Sequence, residues 1–142
     1  MKTYSLLLIT ILTTANCFTQ DAKTADAVLF SSMIGTWEHV SSTFPTGDVV
    51  TYRREFQFFS DGKGICTKFT DVDTTLINFE WEVKDSIVSL FEIRKNGKIT
   101  YADSQIISFL DPSKLYLTDA YCDENTGRVC CYKRTEMAIA KY

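Results

Sequence analysis

Few residues in this chain are of a type and spacing suited to catalysis. His39 is the single histidine among 142 residues. Glu38 precedes it, but adjacent residues of a strand point to opposite faces, so the two form no carboxylate–imidazole relay. Glu80 and Glu82 share one strand face, about 7 Å apart by strand rise, and paired carboxylates are a known acid–base device. Their neighbours Phe79, Trp81 and Val83 take the dry face, which leaves both carboxylates in water. Asp71-Val72-Asp73 lacks the further ligands and the glycine of a calcium loop. No glycine-rich phosphate loop and no serine-nucleophile motif occurs. The sequence therefore predicts a protein that is not an enzyme and uses no metal or cofactor.

What the cysteines do depends on the compartment. Lys2 is the only charge before Asp21, and it is followed by an apolar run over residues 5–12 and then by small and polar residues to Gln20. This is the anatomy of a signal peptide, and the run is well short of the roughly 18 residues that span a bilayer. Small residues at Ala15 with Thr13, or Thr19 with Cys17, suit a signal cleavage, whereas Thr14-Ala15-Asn16-Cys17 offers a lipobox with Cys17 as the lipidated residue. The expectation is an exported protein, periplasmic or secreted, anchored to a membrane only if Cys17 is lipidated. Removing or lipidating Cys17 leaves Cys66, Cys122, Cys130 and Cys131, and an even number in an exported domain suggests disulfides. Zinc is disfavoured, because there is no C-x-x-C and Cys130 and Cys131 would face opposite ways on a strand. The turn Asn125-Thr126-Gly127 sets Cys122 against Cys130 or Cys131 across the last hairpin. The parity that keeps Tyr132 and Arg134 inward favours Cys122 with Cys131.

The elements that hold these residues follow from pattern. All 18 acidic residues and all but one of the 15 basic ones lie beyond Gln20. With 45% hydrophobic and 13% aromatic residues, that remainder is too apolar for disorder and long enough for one core but not two. A net charge of −3 gives no electrostatic footprint for nucleic acid. Turn residues recur at Thr46-Gly47-Asp48, Ser60-Asp61-Gly62-Lys63, Asp71-Val72-Asp73, Lys84-Asp85-Ser86, Lys95-Asn96-Gly97-Lys98, Asp111-Pro112-Ser113 and Asn125-Thr126-Gly127. Seven turns separate eight strands. Between them the residues alternate with period two: Tyr52, Phe56 and Phe58 oppose Arg53, Glu55 and Gln57, and Ile77, Phe79, Trp81 and Val83 oppose Asn78, Glu80, Glu82 and Lys84. Short strands joined by hairpin-length loops predict an all-β fold, an eight-stranded antiparallel up-and-down barrel that closes on itself and so loses its edges. Ala25, Val28, Leu29 and Met33 recur at helical spacing, which predicts a short N-terminal helix over one end. The chain thus divides into a signal peptide (1–20), the helix (21–33), the barrel (34–136) and a tail (137–142).

The motifs Gly35-Thr36-Trp37 opening the first strand, Phe59-Ser60-Asp61-Gly62 after the second, Phe79-Glu80-Trp81-Glu82-Val83 in the fourth, Lys114-Leu115-Tyr116-Leu117-Thr118 in the seventh and Tyr132-Lys133-Arg134-Thr135 in the last come in an order that resembles the bacterial lipocalin-like family, over about residues 33 to 136. That resemblance implies a calycin-type barrel. It also implies structural roles for Gly35, Trp37 and Arg134, with the first-strand Trp packed beneath the last-strand Arg at the closed end.

Alternation gives the inward face as Tyr52, Arg54, Phe56, Phe58, Ile65, Thr67, Phe69, Ile77, Phe79, Trp81, Tyr101, Leu115, Leu117 and Tyr132. An eight-stranded barrel is wide enough to be filled by side chains or to hold one small ligand. Tyr52, Arg54, Phe56, Phe58, Phe69, Phe79, Trp81, Tyr101 and Tyr132 are the candidate ligand contacts, an aromatic lining with a few polar handles. Arg54 is the informative one, because a buried guanidinium needs an anion, from a ligand or from a residue such as Asp103. Two functions follow: a binding protein for a small hydrophobic or amphipathic molecule, or an envelope interaction protein in which a filled barrel is a scaffold for functional loops or a lipid anchor. The signal anatomy predicts a mature chain that begins between Asn16 and Asp21. Mass analysis of exported protein checks this, and a full-length chain that keeps residues 5–12 would contradict it.

Overall fold

Turn chemistry and alternation place the strands. The computed structural model describes residues 22–120 and 127–135 of the chain. A helix, α1, covers residues 22–33. Nine strands follow: β1 (Gly35–Thr43), β2 (Val49–Val50), β3 (Arg54–Phe58), β4 (Lys63–Phe69), β5 (Thr74–Lys84), β6 (Ile87–Ile93), β7 (Ile99–Leu110), β8 (Lys114–Asp119) and β9 (Val129–Arg134). Every neighbouring pair is antiparallel, and β9 pairs back onto β1, so eight strands close a ring as the alternation predicted. The ninth, β2, is a two-residue strand added to the end of β1 through Ser42–Val50 and Thr43–Val49.

Three register shifts break the regular alternation, at Val40 in β1 and at Ala102 and Ser108 in β7. Each extra residue reverses which side chains face inward beyond it. In β1 the shift lets both His39 and Ser42 point into the barrel, opposite Tyr132 and Cys130.

The closed end is assembled from the two ends of the described chain. Arg134 stacks its guanidinium 4.3 Å above the Trp37 ring, and its two terminal nitrogens donate to the carbonyls of Ile34 (2.9 Å) and Ser32 (2.7 Å). The Trp37 indole donates to the Met33 carbonyl at 2.8 Å. These bonds occupy carbonyls that the end of a helix leaves without partners. Gly35 permits the approach: its φ is +134°, and a Cβ there would come within 2.7 Å of the Arg134 guanidinium. The helix covers the base with Phe30, stacked on Trp81 at 4.1 Å, and with the fully buried Met33. Ala25 and Val28, expected on the packed face, are instead exposed, because the buried stripe runs through Asp26, Leu29, Phe30 and Met33. Asp26 has its own task. The β5–β6 turn places Asp85 and Ser86 at positive φ (53° and 61°), and the Asp26 carboxylate accepts both of their amides at 2.9 and 3.1 Å.

Register also corrects the last hairpin. Tyr116 pairs with Cys131 and Leu117 with Cys130, so neither cysteine has Cys122, five or six positions further on, as its cross-strand partner. Cys66, Cys130 and Cys131 are free thiols, and Cys122 lies outside the described residues. The expected Cys122–Cys131 disulfide thus falls on a residue outside those described, and Cys131 itself stands across from Tyr116.

Trp37 is completely buried, so Trp37→Ala should cost about 3–5 kcal/mol of unfolding free energy. Urea denaturation measures it. A midpoint equal to wild type would show that the Trp37–Arg134 contact is not the anchor of the closed end.

Candidate functional site

Inward side chains from successive strands form a column of rings along the barrel. From the helix upward, Trp81 meets Phe58 (4.9 Å between centroids), Phe58 meets Phe79 (5.5 Å) and Phe56 (6.1 Å), Phe56 meets Tyr132 (5.8 Å), Tyr132 meets His39 (5.4 Å), and His39 meets Tyr52 (5.4 Å). Gly64 makes the column possible, since any Cβ there would collide with the Phe79 ring. Edge-to-face and stacked contacts of this kind add to burial energy. The space left among Trp37, Phe56, Phe58, Val88, Leu90, Gln105, Leu115, Leu117 and Tyr132 is about 10 Å³, room for about one water. Phe56, Phe58, Phe79, Trp81 and Tyr132 thus fill the lower barrel, and Trp81 sits beneath the helix rather than at the open end.

Above this plug the inner face turns polar. His39 Nε2 lies 2.9 Å from the Ser42 hydroxyl, which lies 3.2 Å from the Cys130 thiol. Its Nδ1 lies 3.2 Å from both the amide nitrogen and the carbonyl oxygen of Tyr52, and the tautomer selects between them. Burial, aided by the nearby charges of Arg54 and Arg128, lowers the His39 pKa, although the Tyr52 backbone bond opposes it, so the ring is neutral at neutral pH. Asp119 accepts from Gln105 Nε2, from the Arg128 amide and from the Arg128 guanidinium, each at 3.2 Å. This half-buried pair closes the β8–β9 side of the opening. Tyr132 is buried deeply enough that its hydroxyl pKa is raised.

Arg54 has no such partner. Its guanidinium carbon lies 5.4 Å from the Tyr52 ring centroid and 6.0 Å from that of Phe56. Its Nε is buried without a hydrogen-bond partner among the described residues, as are those of Arg128 and Arg134. Those two guanidiniums bond through their terminal nitrogens, whereas that of Arg54 has no hydrogen bond or ion pair among the described residues. Asp103 faces inward on β7, in register with Leu90. Burial first, then the neighbouring Asp119, raise its pKa, against the opposing pull of Arg128, the Ser104 amide and Arg54.

Two expected contacts lie on the wrong face. Phe69 points outward and is 39% exposed, because Gly64, Cys66 and Lys68 pair with the inward Phe58, Phe56 and Arg54; Ile65 and Thr67 go outward with it. Tyr101 is 58% exposed and packs on the outward Phe91 at 6.2 Å, because the extra residue Ala102 inverts β7 below Asp103. Of the remaining candidates, Tyr52 and Arg54 reach the open end, and the half-buried Phe56, 6.0 Å from the Arg54 guanidinium, forms the top of the plug beneath them. Sequence reasoning weighed His39 only for catalysis and Cys130 only for a disulfide, and did not foresee that the shift at Val40 brings them together with Ser42 on the inner face. It also passed over Asp119 and Arg128, although these continue the inward parity of Leu115 and Leu117 and of Tyr132 and Arg134. Glu80 pairs with the outward Phe91, Glu82 is exposed, and Glu38 binds Lys133 at 3.0 Å, so none of these carboxylates lies in the site. Among the described residues, no group of three or more His, Cys, Asp and Glu is placed to hold a metal, and no helix is long and apolar enough to cross a membrane.

Solved structures share this architecture. A lipocalin-like protein from Bacteroides uniformis superposes with a TM-score of 0.59 at 14% sequence identity, over 73% of this chain and 99% of that one. An uncharacterized protein from Bacteroides eggerthii gives 0.57 at 12% identity, over 72% and 98%. No protein-family model and no curated protein matches the chain. The fold is that of the lipocalin-like proteins, as the motifs in the sequence implied.

The raised pKa of Asp103 has a definite sign. A carboxyl whose folded pKa lies above its unfolded value favours folding below that value, and the advantage is lost as pH rises through the folded pKa. Above its folded pKa the ionised Asp103 is therefore a burden, and there Asp103→Asn should raise the melting temperature. The gain should vanish below about pH 3.8, the ordinary carboxyl value, where wild type is protonated as well. Melting curves from pH 3 to 8 check it, and a variant less stable at pH 7 would contradict the assignment.

Proposed function

We propose that this protein is an exported, lipocalin-like binding protein that holds a small amphipathic, anionic molecule at the open end of its barrel and does not transform it. The observation that carries this reading is Arg54: a half-buried cation flanked by the rings of Tyr52 and Phe56, with a buried Nε that no described residue satisfies. A carboxylate or similar group from a ligand would supply the missing acceptor, and Tyr52 with Phe56 would take the adjoining apolar part. The filled base argues for a ligand held near the opening rather than one swallowed whole. Covering about 200 Å² of apolar ligand surface at about 25 cal/mol per Å² gives roughly 5 kcal/mol before the cost of association, equivalent to a Kd of about 0.2 mM, so the contact with Arg54 has to supply the remainder of a micromolar affinity. The engagement of both His39 ring nitrogens with Tyr52 and Ser42 favours binding over turnover. Export rests on the signal-like residues 1–20, with a periplasmic or secreted location, and on Cys17 if the chain is lipid-anchored.

A second reading is favoured by the ring column and the water-sized cavity: a filled barrel acting as a rigid scaffold, with its loops engaging an envelope partner. Titration with a fluorescent fatty acid separates the two. Micromolar binding that weakens about tenfold in Arg54→Met supports the carrier, whereas no binding by a broad set of apolar anions supports the scaffold.

A further inference from the structure

The open end carries two charges of opposite sign on opposite walls, and neither is paired. Around the ring the strands run β1, β3, β4, β5, β6, β7, β8, β9 and back to β1, which places β3 and β7 four strands apart in either direction. Arg54 faces inward from β3 and Asp103 from β7. Among the described residues no ion pair joins them, and neither has another ionic partner, although Arg128 and Asp119 beside them close to 3.2 Å. The walls continue this division. Lys68 pairs with Arg54 across β3–β4 and so shares its inner face. Glu92 pairs with the inward Phe79 and so faces inward from β6, next to β7. One side of the opening is therefore cationic, and the opposite side carries Asp103 and Glu92 beside an Arg128 whose charge is taken up by Asp119 at 3.2 Å. A simple anion would satisfy Arg54 but would leave Asp103 and Glu92 unanswered and facing a like charge.

We infer that the molecule bound at this opening is a zwitterion, with an anionic group on Arg54 and Lys68, a cationic amine on Asp103, and an apolar portion over Tyr52 and Phe56. This rests on the small-molecule reading above and names the ligand class. Each charge of such a molecule takes the place of a counter-ion that the fold leaves out, and the two fields that repel a singly charged ligand act together on a dipolar one. The strain on Asp103 points the same way, since a cation beside it would reverse the effect of its burial and of Asp119.

Calorimetric titration with three probes of one chain length, dodecanoate, dodecylammonium and 2-aminododecanoate, tests the inference. Wild type should bind 2-aminododecanoate about tenfold or more tighter than either singly charged probe. In Asp103→Asn that preference should disappear, and dodecanoate should bind more tightly, since a repelling carboxylate is gone. Melting curves confirm that the variant is folded, and Asp103→Glu should restore the preference. Equal or tighter binding of dodecanoate by wild type would overturn the zwitterion while leaving the anion carrier standing. A preference for dodecylammonium, or a zwitterion preference that survives Asp103→Asn, would also overturn it. Failure of all three probes to bind would remove the small-molecule reading and this inference together.

Discussion

One contact holds the architecture together: the guanidinium of Arg134 lying on the ring of Trp37. Arg134 ends the last strand and Trp37 begins the first, so their stacking fixes the seam at which the sheet becomes a ring. A cation over an indole contributes about 0.5–2 kcal/mol, a modest amount on its own. Its larger effect is geometric. Because the same guanidinium also binds the carbonyls of Ser32 and Ile34, the helix, the first strand and the last strand share one side chain. Gly35 is bound to this arrangement, as any side chain there would occupy the place of the guanidinium.

Once the base is sealed, the interior has to be filled or left hollow, and this chain fills it. Rings stacked from Phe30 and Trp81 up to His39 and Tyr52 occupy the volume that a hollow barrel would offer a ligand. In the proposed binding function, recognition then falls to the rim, where side chains are polar and partly wet. Affinity there depends less on buried apolar area than on how well a few charges are answered, which is why the unpaired state of Arg54 and Asp103 carries more information than the whole aromatic lining.

The strand order, the short helix, the ring closure and the Trp37–Arg134 contact were legible because they depend on turn residues, on period-two alternation and on motifs that survive in order. The rim was less legible, for physical reasons. Alternation fails silently at a bulge, and nothing in the composition of Val40, Ala102 or Ser108 marks these as extra residues, so Tyr101 was assigned to the wrong face. On β4 the apolar residues themselves misled: Ile65 and Phe69 look like core, but Phe79 needs the space that only Gly64 leaves, and that sets the parity of the whole strand. In the last hairpin Cys131 stands across from Tyr116, and Cys122, its expected partner, lies outside the described residues. Arg54 was found because a cation in an apolar alternation is conspicuous even without knowledge of its surroundings.

The seam also has a consequence in time. The pairing of Trp37 with Arg134 joins residues separated by nearly the whole barrel sequence, and contacts of such long range form slowly, because the chain between them must lose its freedom before the contact repays it. While the chain is synthesised from its N-terminus, β1 keeps an open edge and Trp37 lacks its cover until the final strand arrives. A protein built in this way stays unclosed until its ninth strand is present, so the ring forms in one late step rather than strand by strand.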